Sequence, residues 1–386
     1  MLPEQAEVVV VGAGPTGLTL ACTLRKAGVE VLVLDKFAEG AKTSRAIVLH
    51  ARTLEVLGEL DMSRRLIQEG RSVPVFSIRA GNKRLMSIDF SGLPTAYPYV
   101  LMLPQSRTEA ILNQRLAELG GQVQRPYTAT AVRTCNGGAT VSVAGPDAQP
   151  HTVQARYVVG ADGMHSTVRE AAGISFTGGR YDQSFVLADV SMQWPLSAQE
   201  AQLFLNPAGL MVVVPLPDGD HRIVATMEHA PERITKMDVQ TLIDQRGPGE
   251  AQVHDMVWSS RFWVHHRVAD TYRRGPLLLA GDAAHVHSPA GGQGMNIGIQ
   301  DALVLGQILD QVLKGATDAA LDAYQERRRP VAQQVVAFTD RATRITNLTR
   351  PRACAARNTL FSLVGRIPPA QHKIAFQLAE LSDRPT

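Results

Sequence analysis

The sequence is short of everything that would tie it to an oxidising or membrane environment. Among 386 residues there are three cysteines, Cys22, Cys135 and Cys354, odd in number, far apart and in no CxxC pairing. That excludes a disulfide framework and a cysteine-based zinc site, leaves no metal-ligating set, and fits a reducing cytoplasm. No window reaches 18 uninterrupted apolar residues, so neither a transmembrane helix nor stable membrane insertion is expected. The first apolar run has no basic leader: Glu4 and Glu7 precede it, and glycine and proline interrupt it, which argues against secretion. The formal net charge is only +3, too small a field to recruit nucleic acid. Internal repeats and low-complexity tracts are absent as well.

What is present is an ordinary globular balance, 45% hydrophobic and 19% charged, on a chain long enough for two lobes. One stretch departs from it. Residues 327–373 hold ten Lys/Arg and a single acid, Asp340. A solvated helical surface is the simpler reading, docking to a membrane surface or an acidic partner the sharper one.

The patterning changes along the chain. A β-branched run at 7–11, helical spacing at 15–27 and an apolar run at 30–34 make a β-α-β unit, with Pro15 early in the helix where its missing N–H costs nothing. Helical patterns follow at 52–60 and 106–119, the latter with Ser106 and Glu109 spaced as a capping box. From 122 to 159 the period becomes two, punctuated by "NGG" and "GPD", as in hairpins. A short helix is expected at 165–172. Residues 184–263 alternate again, and 209–229 read as two antiparallel strands joined at 217–220. A buried strand at 277–280 precedes an all-helical end: a long amphipathic helix at about 319–344, then two short ones divided at 367–369. The expected fold class is α/β. A Rossmann-like dinucleotide-binding domain from 1–70, 100–180 and 265–320 interleaves with a mainly antiparallel sheet domain from 71–99 and 181–264, and 321–386 form C-terminal helices.

Gly12, Gly14 and Gly17 satisfy G-x-G-x-x-G directly after a strand and opening a helix, with Pro15 and Thr16 inside the motif. The first glycine permits the tight turn, the second lets backbone approach a pyrophosphate, and the third allows close helix–strand packing. The helix N-terminus then faces the anion. Asp35 closes the second strand, where an acid accepts the adenosine ribose hydroxyls, and Lys36 beside it is placed along the adenine. This motif alone does not separate NAD from FAD.

Four later segments do. "RYVVGADGMHSTVR" at 156–169 runs a strand into Asp162–Gly163. "LLLAGDAAHVHSPAGGQGMNIGIQD" at 277–301 runs a buried strand into Gly281 and Asp282, then through Pro289 and Gly292 into a helix at Gly294, Met295 and Asn296. "TSRAIVLHARTLEVL" at 43–57 and "LPQSRTEAIL" at 103–112 set Arg45, Gln105 and Arg107 between elements of the first domain. Together these segments resemble the class A flavoprotein monooxygenases, the family of p-hydroxybenzoate hydroxylase and phenol hydroxylase, and most of all its polyketide-hydroxylating branch. The resemblance extends through "AYQERRRPVAQ" at 323–333.

It implies non-covalent FAD, transient NADPH or NADH as reductant, dioxygen, and transfer of one oxygen from a flavin C4a-hydroperoxide to an aromatic ring. Asp282 would hold the ribityl chain. The backbone at 294–296 would face the flavin N1–C2=O edge, where negative charge accumulates on reduction. Pro289 would lie near the flavin face at which oxygen reacts. Arg45, Gln105 and Arg107 would contact FAD around its pyrophosphate and ribityl portions, although for Arg45 or Arg107 alone a surface ion pair is the simpler reading. Asp162 would order the site between pyrophosphate and nicotinamide.

The substrate is expected between the flavin and the middle sheet, with Phe204, Met211, Val213, Met227 and Phe262 as wall residues; alternation does not tell which sheet face points inward. An apolar wall suits a bulky phenol or polycyclic. His221, Arg222, His229, His285 and His287 are near the site by location only, and no catalytic base is assigned. The expected state is a monomer or homodimer. An antibiotic-inactivating hydroxylase and a non-catalytic FAD-binding protein are the alternatives, the latter disfavoured by the intact 281–296 loop. A flavin halogenase is disfavoured because W-x-W-x-I-P is absent. Larger members of the branch carry a thioredoxin-like C-terminal domain, which this chain is expected to lack.

Overall fold

Val8, Val9 and Val10 are wholly buried because the strand Gln5–Val11 has a parallel neighbour on each side, Val31–Leu34 and Pro150–Gly160. Strands buried on both faces read as unbroken apolar runs. In the computed structural model, which describes residues 2–39, 46–146, 149–228 and 230–384, this trio is the centre of an eight-stranded sheet. Leu277–Leu279 adds in parallel beyond Pro150–Gly160, and Val123–Gln124 beyond Val31–Leu34. The hairpin Thr128–Cys135 and Gly138–Ala144 attaches antiparallel to Pro150–Gly160, as the period-two pattern predicts.

Ten α-helices are present among the described residues: α1 (Pro15–Lys26), α2 (Ala51–Gly58), α3 (Ser63–Glu69), α4 (Gln105–Glu118), α5 (Thr167–Ala171), α6 (Lys236–Arg246), α7 (Gly294–Leu313), α8 (Asp322–Thr346), α9 (Pro351–Val364) and α10 (Pro368–Leu378). Helix α1 is the crossover of the β-α-β unit and packs against α7 and α4. At α4 the expected cap is wrong. Pro104 occupies the N-cap, Ser106 lies inside the helix, and the Glu109 carboxylate accepts from Gln105 Nε2 at 2.8 Å. Proline's fixed φ starts the turn without a side-chain acceptor.

The second sheet runs in the order 285–286, 252–269, 176–193, 221–227, 209–215, 200–206, 75–80 and 83–89, antiparallel except where Glu200–Asn206 meets Val75–Ala80. Its two long strands, Phe176–Gln193 and Gln252–Ala269, reach past the limits expected at 181 and 264. Helix α6 has no counterpart in the alternating pattern read for 184–263. Its signal was nonetheless local: Thr235 and Asp238 form a reciprocal capping box, and Val239, Leu242, Ile243 and Arg246 are buried at helical spacing. It covers one face of the second sheet, while the other face, with Phe185, Leu203, Leu205, Leu210 and Val214, packs toward Ile47, Ala51 and the C-terminal helices. Among the described residues no helix is long and apolar enough to cross a membrane.

Candidate active site

Two turns of the first sheet meet at the N-terminus of α1. Gly12 has φ +102°, and a Cβ there would sit 2.3 Å from the Ala161 carbonyl oxygen, so the first turn lies directly on the 161–162 segment. Gly14, the N-cap of α1, faces the other way: a Cβ on it meets nothing within 4 Å. With Pro15 at the first helical position and no side chain capping the end, α1 offers its first-turn N–H groups to open space, a cradle for an anion. Asp35 clamps this turn. Its carboxylate accepts from the N–H groups of Ala13 and Phe37, each at 2.8 Å, and pairs with Arg125 at 3.0 Å. Lys36 is exposed beside it, its ammonium 5.2 Å from the Phe37 ring centroid.

The second turn carries Asp162. Its Oδ2 accepts from the Thr167 N–H at 2.8 Å, while Oδ1 is buried without a partner among the described residues, and burial holds the carboxyl above its usual range. Ser166 caps α5 through the Arg169 N–H, and the buried Arg169 guanidinium donates to the carbonyls of Met164 (2.8 Å) and Ala283 (3.0 Å). It thereby ties the 160–166 turn to the Gly281–Ala283 turn. There Gly281 has φ +59°, and a Cβ on it would come within 2.5 Å of Thr16 Oγ1. Gly298 of α7 approaches the same hydroxyl as closely, so Thr16 is wedged between this turn and α7. Asp282 is exposed at the tip.

Beyond it the chain passes the exposed Pro289 and enters α7. The buried Asn296 side chain locks this entry: Oδ1 accepts from the His50 N–H at 2.9 Å, and Nδ2 donates to the carbonyls of Val48 (2.9 Å) and Gly292 (2.8 Å). Met295 is half-buried against the core. Two histidines frame the loop, His50 with Nε2 2.8 Å from the Gly291 carbonyl and His287 with Nδ1 2.8 Å from the Ser288 carbonyl. Burial lowers both to about 4, so both rings are neutral at pH 7 and the carbonyl-facing nitrogens carry the protons. That leaves His287 Nε2, next to Gly294, as a buried acceptor without a partner among the described residues.

Comparison with known proteins decides what this arrangement serves. The model of the FAD binding domain family matches residues 5–339. The chain belongs to this family of FAD-dependent monooxygenases. It is 38% identical to the 12-dehydrotetracycline 5-monooxygenase/anhydrotetracycline 6-monooxygenase of Streptomyces rimosus, over 98% of this chain and 77% of that protein. It is 37% identical to a rifampicin monooxygenase of Streptomyces venezuelae, over 93% and 75%. The crystal structure of p-nitrophenol 4-monooxygenase from Pseudomonas putida superposes over the whole of both chains with a TM-score of 0.88 at 28% identity. The open cradle at Gly14, the free first turn of α1 and the unpartnered Asp162 oxygen fit the anionic and polar groups of FAD.

In this monooxygenase the expected residues do not all converge. Gln105 sits on the 46 segment: Oε1 accepts from the Ala46 N–H at 3.3 Å, beside Arg222 Nη1 on the Ala46 carbonyl, also at 3.3 Å. Arg107 is 60% exposed and forms an ion pair with Glu69, Nε to carboxylate 3.0 Å, the simpler of the two readings. Arg45 and His229 lie outside the described residues. The substrate wall needs the largest correction: Phe204, Met211 and Val213 are fully buried, with Met227 packed beside them, on the face that α6 covers. Only Phe262 of the five is on the inner face, where it stacks on Phe185 at 5.8 Å. Without α6 in view, two equally apolar faces could not be told apart.

Other participants carried no motif signal. Arg222 is fully buried under Trp258 and makes a bidentate pair with Asp189 on the neighbouring strand, both contacts 2.7 Å. His221, its neighbour on the strand, points to the α6 side against Trp194 and is lowered to about 4 by burial. Asp301 of α7, wholly buried, accepts from His285 Nε2 and Arg328 Nε, each at 2.6 Å. It joins the loop strand His285–Val286, α7 and α8 into one network.

Proposed function

We propose that this monooxygenase hydroxylates a bulky, largely planar phenol, taking reducing equivalents from NADH or NADPH. FAD, when bound, supplies the chemistry: it accepts the hydride and activates dioxygen for transfer of one oxygen atom. The chain supplies position, charge and dryness. The N–H groups of the 12–17 turn hold the pyrophosphate, Asp35 the adenosine ribose, Lys36 the adenine side, Asp282 the ribityl chain, and Gln105 the middle of the cofactor. The N-terminus of α7 at Gly294–Asn296 carries the positive end of the helix dipole and would stabilise the negative charge that the flavin gains on reduction, and Pro289 in the preceding loop would lie near the flavin. Asp162 would order the site between pyrophosphate and nicotinamide. His287 Nε2, an acceptor without a donor among the described residues, is available to a hydrogen bond from cofactor or substrate.

The observation that carries the reading on substrate is the inner sheet face, where Phe185, Val212, Val224 and Phe262 present carbon toward Val48 and the loop that enters α7. Such a wall offers area and excludes water but few hydrogen bonds, which suits a polycyclic phenol of the anhydrotetracycline kind better than a small carboxylated ring. Hydroxylation that inactivates an antibiotic is a second reading, favoured by the likeness to a rifampicin monooxygenase. Free Cys22, Cys135 and Cys354 support work in a reducing cytoplasm. A screen of phenols and aromatic polyketides for stimulated NADPH oxidation tests the proposal. Oxidation that no aromatic compound accelerates would exclude it.

A further inference from the structure

The C-terminal helices have two faces of opposite character. Toward the interior, Phe361 and Val364 of α9 and Phe376 of α10 pack on the apolar core at the edge strand Lys83–Asp89. Buried Arg357 donates to the Thr346 carbonyl at 2.8 Å and fixes α9 to the end of α8. Away from the interior, Phe338 and Ile345 of α8 and Leu360, Leu363 and Ile367 of α9 and its following turn are between 37% and 56% exposed. Nine large apolar side chains are exposed among the described residues, and five of them fall in this short stretch. That clustering is what a scatter of ordinary surface apolar residues does not give.

The same helices are basic. Arg352 shares the α9 stripe with Leu363, and Arg341 lies between Phe338 and Ile345 on α8. Arg350 at the start of α9, Arg366 in the turn after it and Lys373 on α10 are all exposed and without an ion pair among the described residues. The one acid of the region, Asp340, is already occupied by Arg344 at 2.9 Å and by the Tyr181 hydroxyl at 2.8 Å. The apolar side chains project from helix surfaces and do not line a groove, so they offer no cleft to a peptide. A second copy meeting this face about a two-fold axis would set like charges against each other.

We propose that the outer face of α9, flanked by α8, docks on an anionic lipid surface, with Leu360, Leu363 and Ile367 entering the interfacial layer and the arginines meeting the headgroups. This is peripheral adsorption of an amphipathic helix.

The test uses the full-length, FAD-loaded protein in co-sedimentation with vesicles of phosphatidylcholine alone and of phosphatidylcholine mixed with phosphatidylserine. Binding is expected only to the mixed vesicles and is lost at high salt. A basic residue near such a surface is worth about 1 kcal/mol, roughly fivefold, so Arg352→Gln with Arg366→Gln weakens binding about 25-fold. Leu360→Ser with Leu363→Ser weakens it by about tenfold at unchanged charge. These positions are exposed, so melting temperature and basal NADPH oxidation stay at wild-type values. Equal binding to both vesicles, no binding to either, or mixed-vesicle binding that survives the serine pair overturns the proposal. So does a dimer in light scattering that the serine pair dissociates, which would assign the face to a second copy.

Discussion

Gly12 and Gly14 are two residues apart in one motif, yet substitution should damage different properties at each. At Gly12 an alanine must adopt φ +102° and place its Cβ 2.3 Å from the Ala161 carbonyl oxygen. Left-handed backbone costs about 1–2 kcal/mol and overpacking about 1–3, giving roughly 2–5 kcal/mol for Gly12→Ala. An unfolding entropy of about 2.1 cal/mol/K per residue over 386 residues converts that to a melting temperature lower by about 3–6 °C. At Gly14 the backbone is extended, φ −74° and ψ −176°, and the side-chain direction is empty. Gly14→Val should therefore change the stability of the apoprotein by less than about 0.5 kcal/mol, as at an ordinary surface position. Its isopropyl group fills the space the pyrophosphate needs. Losing two charge-assisted N–H bonds at about 1.5–3 kcal/mol each weakens FAD binding roughly 10²–10⁴-fold. Scanning calorimetry of the two apoproteins, with FAD titrations followed by flavin fluorescence, separates the effects. Gly14→Val that binds FAD within threefold of wild type would mean that the pyrophosphate does not lie at Gly14, and Gly12→Ala that melts with wild type would mean that the turn does not press on Ala161.

Asp301→Asn leaves the Arg328 guanidinium buried without a counter-charge and should cost about 3–5 kcal/mol in urea unfolding; the double change Asp301→Leu with Arg328→Met should cost less, and the reverse order would count against the network. Phe262→Ala should raise the KM for the aromatic substrate and increase peroxide released per NADPH, whereas Met211→Ala, under α6, should lose about 2–5 kcal/mol of stability with KM unchanged. A shared phenotype would mean the faces are misassigned. His50 and His221 have folded-state values of about 4, below the 6.5 of an ordinary histidine. As pH falls the unfolded chain takes these protons first, so stability is whole above about pH 6.5 and declines toward pH 4, by at most about 1.4 kcal/mol per pH unit per histidine. Urea midpoints across that window should show the decline, and His50→Gln should make it shallower; an unaltered slope would contradict the assignment.

Local signals carried the cofactor half of the molecule. The valine run at 8–11, the glycine turn and Pro15 each act through their own backbone, so the β-α-β unit and the cradle were legible. The hairpin joined at 217–220 and the helical C-terminus were legible for the same reason. The substrate half depends on which elements cover which sheet face, a tertiary fact. Helix α6 went unread although Thr235 and Asp238 mark its start, and with it went the direction of Phe204, Met211 and Val213. Arg107 illustrates a different limit: a motif position near a cofactor can be satisfied by a neighbouring glutamate, and Glu69 is 38 residues away in sequence. Asn296 was expected to act through its backbone, but its side chain is the clamp that joins α7 to the 48–50 segment. Asp301, Arg328 and His285 come together only when α7 and α8 pack, and nothing in their spacing announces it.

As an FAD-dependent aromatic monooxygenase, this chain places one atom of dioxygen on an aromatic ring. Turnover of the accelerating phenol under ¹⁸O₂, with NADPH and the FAD-loaded protein, tests it most directly by mass spectrometry of the product. One ¹⁸O atom is expected per product molecule, consumed with one NADPH in a coupled reaction, and the product should be lost when Asp282→Ala abolishes FAD retention. A product whose added oxygen comes from water, or NADPH consumption that yields only hydrogen peroxide with every aromatic compound offered, would contradict it.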